Sequence, residues 1–170
     1  MTVRLRRGGA ADIERAVRVY VRSNLARRKG EWPNQVARTE AVSHRLADPE
    51  GWFDMAEGRN EAVGMVAVVP LLGDEGDGAP IPGGWFVSLL FVVPERWGEG
   101  IGGALLDAAM KEALRRDGTE IRLWTDEHDN ERAHRLYRSR QFAPTGRTVD
   151  SDERGRAGEW ARRLDPPVRR

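Results

Sequence analysis

The stretch RWGEGIGGAL, from Arg96 to Leu105, places four glycines within six residues. It follows an apolar run and precedes a helix-like pattern, so these glycines fall at the start of a helix. The first N–H groups of a helix have no partner within the helix, and the helix dipole adds about half a positive charge there. Because glycine keeps this backbone bare, an anion can approach it closely. The stretch therefore predicts a phosphate site.

A glycine-rich loop has several alternative interpretations. A nucleotide-hydrolase loop of the form GxxxxGK[ST] needs a lysine and a hydroxyl, and the residues after Gly103 are alanine and leucine, which excludes it. The dinucleotide fingerprint GxGxxG is present as Gly98, Gly100 and Gly103, with Asp126 ending the following strand. That fingerprint normally opens a fold with several further strand–helix units, whereas this one lies in mid-chain, which disfavours an oxidoreductase. A turn that only packs a helix on a strand would need one or two glycines.

A resemblance supports a third ligand class. The stretch VVPERWGEGIGGALL, in which Val92-Val93-Pro94 closes a strand, resembles the acetyl-coenzyme A signature of the GCN5-related N-acetyltransferase (GNAT) superfamily. That signature is V-x-P, then (R/Q)-x-x-G-x-(G/A), then a helix. A second block, NERAHRLYRSRQF, resembles the family's N-x-x-A-x-x-x-Y helix, with matches at Asn130, Ala133, Tyr137 and Phe142. Two positions depart from the pattern: Trp97 replaces the usual Arg or Gln, and Gln141 replaces the glycine that commonly precedes Phe142.

The elements that must position these residues follow from periodicity and turn signals. The predicted order is a strand at 2–6, helices at 13–30 and 36–46, strands at 52–57, 62–69 and 85–93, a helix at 101–116, a strand at 121–125, a helix at 131–140, and a hairpin of 142–149 with 159–164. Asp12 is expected to cap the first helix through its carboxylate. The strand at 85–93 is expected to be buried on both faces. Residues 71–84 are expected to form a flexible connector or a substrate lid.

This order indicates an α/β (α+β) fold. With the resemblance, it predicts a GNAT-type mixed, mostly antiparallel and strongly twisted sheet of about seven strands. Four helices flank the sheet, and one central β-α-β unit holds the cofactor. We expect a single domain over residues 1–164, with a charged loop at 151–158 and a frayed tail at 165–170.

Composition argues against several classes of partner and site. Twenty-eight Lys and Arg nearly cancel 27 Asp and Glu in a chain of 170 residues, so no global basic field indicates a nucleic-acid partner. The absence of cysteine excludes disulfides, thiolate metal sites and an acyl-cysteine intermediate, and three scattered histidines give no metal-ligand spacing. There is no signal-like N-terminus and no apolar run near the ~20 residues that span a bilayer. We therefore expect a cytoplasmic protein without a membrane partner; a homodimer is compatible with the sequence.

The resemblance implies acetyl-coenzyme A as the cofactor. Its diphosphate would be held by backbone N–H groups of the glycine loop, at Trp97, Gly98, Glu99, Gly100, Ile101, Gly102 and Gly103. Its pantetheine arm would lie along Leu90, Phe91 and Val92, with an N–H near Leu90 or Phe91 donating to the thioester carbonyl. Asn130 is expected to begin a helix and contact the cofactor. Tyr137 would donate a hydrogen bond or a proton to the coenzyme A sulfur; its alternative role is core packing.

The general base is left open by the sequence. A lysine-like amine, with a pKa of about 10.4, needs about 4.6 kcal/mol to reach its free base at pH 7. Many relatives have a glutamate six residues before the strand-ending proline, where this chain has Ser88. Ser88 could order a water that relays the proton, Glu127 and His128 are alternatives, and a less basic acceptor would need little help.

The acceptor is expected to meet aromatic side chains. Trp32, Trp52, Trp85 and Trp124 line an acceptor pocket or pack in the core, and a tryptophan-lined pocket would suit an apolar or aromatic amine. Arg135, Arg138 and Arg140 meet the cofactor's 3′-phosphate or form a solvated helix face. The function indicated is transfer of an acetyl group to a primary amine by direct attack in a ternary complex, with a small molecule favoured over a protein as acceptor. The alternative is a catalytically weak acetyl-coenzyme A-binding or sensor module.

Overall fold

The structure is a computed structural model, which describes residues 2–151 and 155–165. In these residues the predicted order of strands and helices is confirmed. The strands are β1 (Arg4–Arg7), β2 (Trp52–Glu57), β3 (Ala62–Leu72), β4 (Pro80–Val92), β5 (Glu120–Asp126), β6 (Ala143–Ser151) and β7 (Gly155–Arg163). The helices are α1 (Ile13–Arg27), α2 (Gln35–Leu46), α3 (Ile101–Arg115) and α4 (Glu131–Ser139).

The strands form one seven-stranded sheet in the order β1-β2-β3-β4-β5-β7-β6. The pairs β1–β2, β2–β3, β5–β7 and β6–β7 are antiparallel, and β4 pairs with β5 in parallel from Gly84↔Glu120 to Val87↔Leu123. Parallel neighbours need a crossover, which α3 provides. The prediction of a mixed, mostly antiparallel sheet with four helices and a central β-α-β unit is therefore confirmed.

The chain divides into two compact units, residues 1–69 with 88–109 and residues 70–87 with 110–170. The first has a core in which Met55, Met65 and Leu105 are fully buried. The core of the second includes Ile121 and Trp160. The expectation of a single domain over residues 1–164 stays a prediction.

Half of the segment expected to be a connector or lid, residues 71–84, is strand. β3 continues to Leu72 and β4 begins at Pro80, so only residues 73–79 connect them. Backbone bonds from Gly73 N–H to the Ala79 carbonyl (3.0 Å) and from Gly78 N–H to the Gly73 carbonyl (2.9 Å) close this turn. The prediction was wrong for residues 71–72 and 80–84, which lie in β3 and β4. Pro80 and Pro82 fit a strand because proline is tolerated wherever its missing N–H is not needed.

Two local expectations are also corrected. The carboxylate of Asp12 makes no capping bond to α1; it accepts the N–H of Gly9 (2.9 Å) and the guanidinium of Arg6 (2.6 Å), because a short 3-10 turn precedes the helix. β4 is not buried on both faces, since Val87 and Leu89 are buried while their neighbours along the strand are half-buried.

The C-terminal hairpin is longer than predicted. β6 reaches Ser151 and β7 starts at Gly155, so most of the expected charged loop is strand. The remainder of that loop, residues 152–154, lies outside the described residues, and so do residues 166–170 of the expected tail.

Candidate functional site

The glycine loop leaves open space beside its backbone. Gly98 and Gly100 have φ angles of +85° and +80°, in the left-handed region that favours glycine, and a Cβ on either residue would meet no atom within 4 Å. Glycine is therefore required there by the backbone angle and not by packing of the protein. The space that a side chain would fill fits the diphosphate of the cofactor that the resemblance implies.

Helix α3 aims its first turn at this space. The first helical hydrogen bond runs from the N–H of Ala104 to the carbonyl of Gly100 at 3.0 Å. Ile101, Gly102 and Gly103 form the first turn, and helix geometry gives their N–H groups no acceptor within the helix. These donors, together with the positive end of the helix dipole, make the loop suited to a diphosphate.

Gly64 on β3 sets the position of this helix. A Cβ on Gly64 would lie 3.0 Å from Leu105 Cδ1 and 3.2 Å from Ile101 Cγ2. The first two turns of α3 therefore rest directly on the β3 backbone, and a side chain at Gly64 would displace them. Gly64 was not among the predicted site residues, although an isolated glycine within a strand is a signal of close backbone approach.

The end of β4 has a defined orientation. The N–H of Val93 donates to the Val63 carbonyl on β3 at 2.9 Å, and the carbonyl of Phe91 also lies towards β3, 3.2 Å from the position of a Gly64 Cβ. Because peptide groups alternate along a strand, those of Leu90 and Val92 face the opposite edge. Of the two residues that the sequence left open, Leu90 is the one whose N–H points away from β3.

An ion pair neutralises the acidic residue of the loop. The Nε of Arg96 donates to both carboxylate oxygens of Glu99, at 2.7 and 2.8 Å. This hydrogen bond lowers the pKa of Glu99, which is therefore anionic at neutral pH. An isolated carboxylate at this position would repel a diphosphate, and the guanidinium of Arg96 offsets that charge.

Trp97 lies between the strand and the glycines. Its indole N–H donates to the carbonyl of Val92 at 2.7 Å, and the hydroxyl of Ser23 on α1 lies 2.8 Å from the same carbonyl. Ser23 is buried. Ser23 was not among the predicted site residues, because nothing in the α1 pattern distinguishes it from other small residues on a buried face.

In the second unit, Asn130 occupies the predicted N-cap position of α4. Its side chain makes no capping bond; the amide donates instead to the hydroxyl of Thr125, at 2.6 Å, at the end of β5. Thr125 is buried, so this bond fixes the loop that joins β5 to α4.

Tyr137 is buried and packs against two aromatic rings of its own unit. Its ring centroid lies 6.1 Å from that of Phe142 and 6.0 Å from that of Trp160. The core packing that the sequence allowed for Tyr137 is therefore present. It fixes the ring, and it is compatible with a role for the hydroxyl.

The candidate bases lie in different surroundings. The hydroxyl of Ser88 donates to the Ala67 carbonyl at 3.3 Å. Glu127 is exposed and forms an ion pair with Arg156 at 3.1 Å, and His128 is exposed. Ser88 and Leu90 lie on the same strand, two residues apart.

Two of the four candidate tryptophans, Trp32 and Trp52, lie in the first unit, and Trp85 and Trp124 lie in the second. Trp32 is buried edge-on against Tyr20, with ring centroids 5.3 Å apart, and Tyr20 contacts Phe91 of β4 in the same way at 5.0 Å. The other three each lie beneath an arginine: Trp52 beneath Arg7, Trp85 beneath Arg116 and Trp124 beneath Arg147. Tyr20 thus links Trp32 to Phe91 on β4.

Among residues 2–151 and 155–165, no group of three or more His, Asp or Glu side chains could hold a metal ion. No helix in this part of the chain has the length and apolar character required to cross a bilayer.

Comparison with known proteins gives a consistent set of relatives. The sequence model of the Acetyltransferase (GNAT) family matches residues 16–142. A relative from Archaeoglobus fulgidus, named as an uncharacterized N-acetyltransferase, is 29% identical over 148 residues, which cover 81% of this chain and 91% of the relative.

Solved structures share the fold. The ribosomal-protein-S18-alanine N-acetyltransferase of Escherichia coli superposes with a TM-score of 0.75 at 13% identity, over 96% of this chain and 95% of that chain. The PaiA N-acetyltransferase of Thermoplasma acidophilum, solved in complex with coenzyme A, gives 0.66 at 16% identity, over 94% of this chain and 98% of that chain.

Proposed function

The chain belongs to the GNAT acetyltransferase family, and we propose that it acetylates a primary amine of a small, largely apolar molecule by direct attack in a ternary complex. As an acyltransferase of this family, it uses acetyl-coenzyme A as the acetyl donor. The observation that carries the proposal is the open backbone at Gly98 and Gly100 before α3. It provides donors for a diphosphate without a lysine or a metal-binding hydroxyl.

The donor would be held by the backbone N–H groups from Gly98 to Gly103. Each hydrogen bond to a charged group contributes roughly 1.5–3 kcal/mol, so three or four of them suffice to fix a diphosphate. The rigid start of α3 on Gly64 supports this role, because donors that are already in place lose little entropy on binding.

Polarisation of the thioester carbonyl would fall to the N–H of Leu90. The bond from Val93 to Val63 supports this assignment, because it turns the Leu90 peptide away from β3. A backbone donor of this kind contributes roughly 2.7–4 kcal/mol to transition-state stabilisation in other enzymes.

The bound cofactor supplies an acetyl group activated as a thioester. The neutral amine nitrogen forms a bond to the acetyl carbon while the carbon–sulfur bond breaks and the sulfur keeps the electron pair. We assign to Tyr137 a hydrogen bond from its hydroxyl to that sulfur, as the resemblance implies. Ser88 would order a water that takes the proton from the amine; its hydroxyl donates to Ala67, which leaves its oxygen to accept from a water.

The acceptor class follows from the aromatic cluster of Tyr20, Trp32 and Phe91. We assign to these rings the apolar wall that the acceptor would contact on the α1 side of β4. The indole N–H of Trp32 is buried and has no hydrogen-bond acceptor among the described residues. A buried donor without a partner costs about 1–3 kcal/mol, which an oxygen atom on the bound amine would relieve. We therefore propose an arylalkyl or alkyl amine that carries one hydrogen-bond acceptor atom.

The proposal is tested with acetyl-coenzyme A and a panel of amines, by thiol release and by mass spectrometry of the product. Arylalkylamines are expected to react at least tenfold faster, in kcat/KM, than polyamines or peptide N-termini. Trp32→Leu should reduce this preference and leave the affinity for coenzyme A unchanged. If coenzyme A raises the melting temperature and no amine releases thiol, the protein is a sensor and the proposal fails.

A further inference from the structure

The position at which this chain departs from the GNAT signature carries a specific contact. Trp97 stands where relatives usually have Arg or Gln, and its indole N–H donates to the carbonyl of Val92 at 2.7 Å. Trp97 lies between the short turn of Pro94–Arg96 and the first glycine of the loop. Its side chain therefore bridges back over the turn to the last residue of β4.

The Val92 carbonyl is occupied on both sides. The Ser23 hydroxyl lies 2.8 Å from it and also 2.8 Å from the Val19 carbonyl, so the serine shares its single proton between two acceptors. A carbonyl oxygen has two lone pairs, and two neighbours at hydrogen-bond distance leave no room for a third donor. The Val92 carbonyl oxygen therefore links β4 to α1, through Ser23, and to the glycine loop, through Trp97.

We propose that Trp97 is a positioning residue, which fixes the diphosphate loop to the end of β4 through the Val92 carbonyl. This inference rests on the proposed cofactor site. The backbone bonds of the turn, from Arg96 N–H to Val93 and from Trp97 N–H to Pro94, are 3.0 and 3.2 Å long and hold the turn itself. The indole hydrogen bond also joins Trp97, which follows the turn, to Val92 at the end of β4. It therefore fixes the position of the backbone immediately before Gly98.

The indole hydrogen bond also affects the pantetheine arm. The peptide of Val92 faces the edge away from β3, where the resemblance expects the arm to pair as an added strand. With its carbonyl occupied, Val92 can offer only its N–H, and the Leu90 peptide becomes the main pairing partner of the arm. Trp97 thus affects diphosphate binding through the position of the loop, and pairing of the arm along the strand depends on Leu90.

Two variants separate the indole N–H from the bulk of the ring. Trp97→Phe keeps an aromatic ring and removes the donor, whereas Trp97→Gln provides a donor of similar reach. Calorimetric titration measures the Kd for coenzyme A. Trp97→Phe is expected to raise this Kd about tenfold, and the Kd of Trp97→Gln is expected to stay within about threefold of that of the unaltered chain. Equal affinities for Trp97→Phe and the unaltered chain, or for the two variants, would overturn the proposal.

A truncated donor distinguishes a positioning role from a general loss of structure. S-acetylpantetheine lacks the diphosphate, so Trp97→Phe should not lower its kcat/KM, whereas kcat/KM for acetyl-coenzyme A should fall about tenfold through KM alone. A parallel fall for both donors would contradict positioning of the diphosphate loop. If no amine is acetylated, the proposed function fails, and the coenzyme A titration still decides the role of Trp97.

Discussion

The backbone N–H of Phe142 donates to the carbonyl of Tyr137 at 3.0 Å, and the two rings lie 6.1 Å apart. A second bond runs from the N–H of Gln141 to the Arg138 carbonyl at 3.0 Å. Together these bonds form a Schellman motif, which ends α4 and packs the residue after the turn on the last turn of the helix. The motif requires a left-handed residue at Gln141, whose φ is +63°. The glycine that relatives commonly have at this position is therefore explained by backbone geometry.

Gln141→Gly is expected to stabilise the protein by about 0.5–1 kcal/mol. The folded protein no longer bears the free-energy cost of a non-glycine residue in the left-handed region. This gain outweighs the stabilisation of the unfolded chain by the larger conformational entropy of glycine. Urea unfolding at pH 7 measures the change. Gln141→Ala, which keeps the unfavourable backbone angle, should show no gain, and a gain of equal size in Gln141→Ala would refute this explanation.

Tyr137→Phe is expected to lower kcat tenfold or more. Its ring contacts with Phe142 and Trp160 are kept, so the fold should be unaffected, and only the hydroxyl that we assign to the leaving sulfur is lost. A tenfold loss corresponds to about 1.4 kcal/mol of transition-state stabilisation. Steady-state kinetics and the Kd of coenzyme A are the measurements. An unchanged kcat would remove Tyr137 from the mechanism and leave it as a packing residue.

Gly100→Ala is expected to weaken coenzyme A binding at least a hundredfold. The new methyl group meets no protein atom within 4 Å, and it projects into the space assigned to the diphosphate. The cost to the fold should be only about 1 kcal/mol, from the left-handed angle.

Gly146→Ala is the matched control for this variant. Gly146 has a φ of +89° and the same open surroundings, so it carries the same backbone cost. Its free energy of unfolding should equal that of Gly100→Ala, and its Kd for coenzyme A should equal that of the unaltered chain. Calorimetric titration measures binding. Retained binding in Gly100→Ala would show that the diphosphate lies elsewhere.

Local patterns predicted most of the fold because the elements have strong periodicity and clear end signals. α2, β2 and α3 lie within one residue of their predicted bounds. Prediction failed where a distant partner decides the local structure. Pro80 and Pro82 were taken as loop residues, but they lie in β4. Asp12 was expected to cap α1, but its carboxylate is taken up by Arg6, a residue whose position depends on the fold.

The candidate site shows the same division. The glycine loop could be proposed from the sequence because the backbone donors at the start of a helix come from consecutive residues, and its role as the cofactor site stays a prediction. Ser23, which contacts the Val92 carbonyl, and Gly64, on which α3 packs, are distant from the loop in sequence and were missed. Each contact exists only once the separate elements come together. Which of the Leu90 and Phe91 N–H groups points away from β3 likewise depends on the pairing of β4 with β3, which no pattern within the strand provides.

Asp12 gives the protein a pH-dependent contribution to stability. The guanidinium of Arg6 and the N–H of Gly9 hold the pKa of Asp12 well below its usual value. A carboxyl with a lowered pKa in the folded state stabilises the protein above its unfolded pKa of about 4, and this stabilisation is lost as the pH falls towards the folded value. Asp12→Asn should therefore destabilise the protein by about 1 kcal/mol at pH 7, and by less at pH 3. Urea unfolding of both proteins at the two pH values measures the difference; a difference that is the same at pH 3 and pH 7 would show that the charge of Asp12 does not contribute.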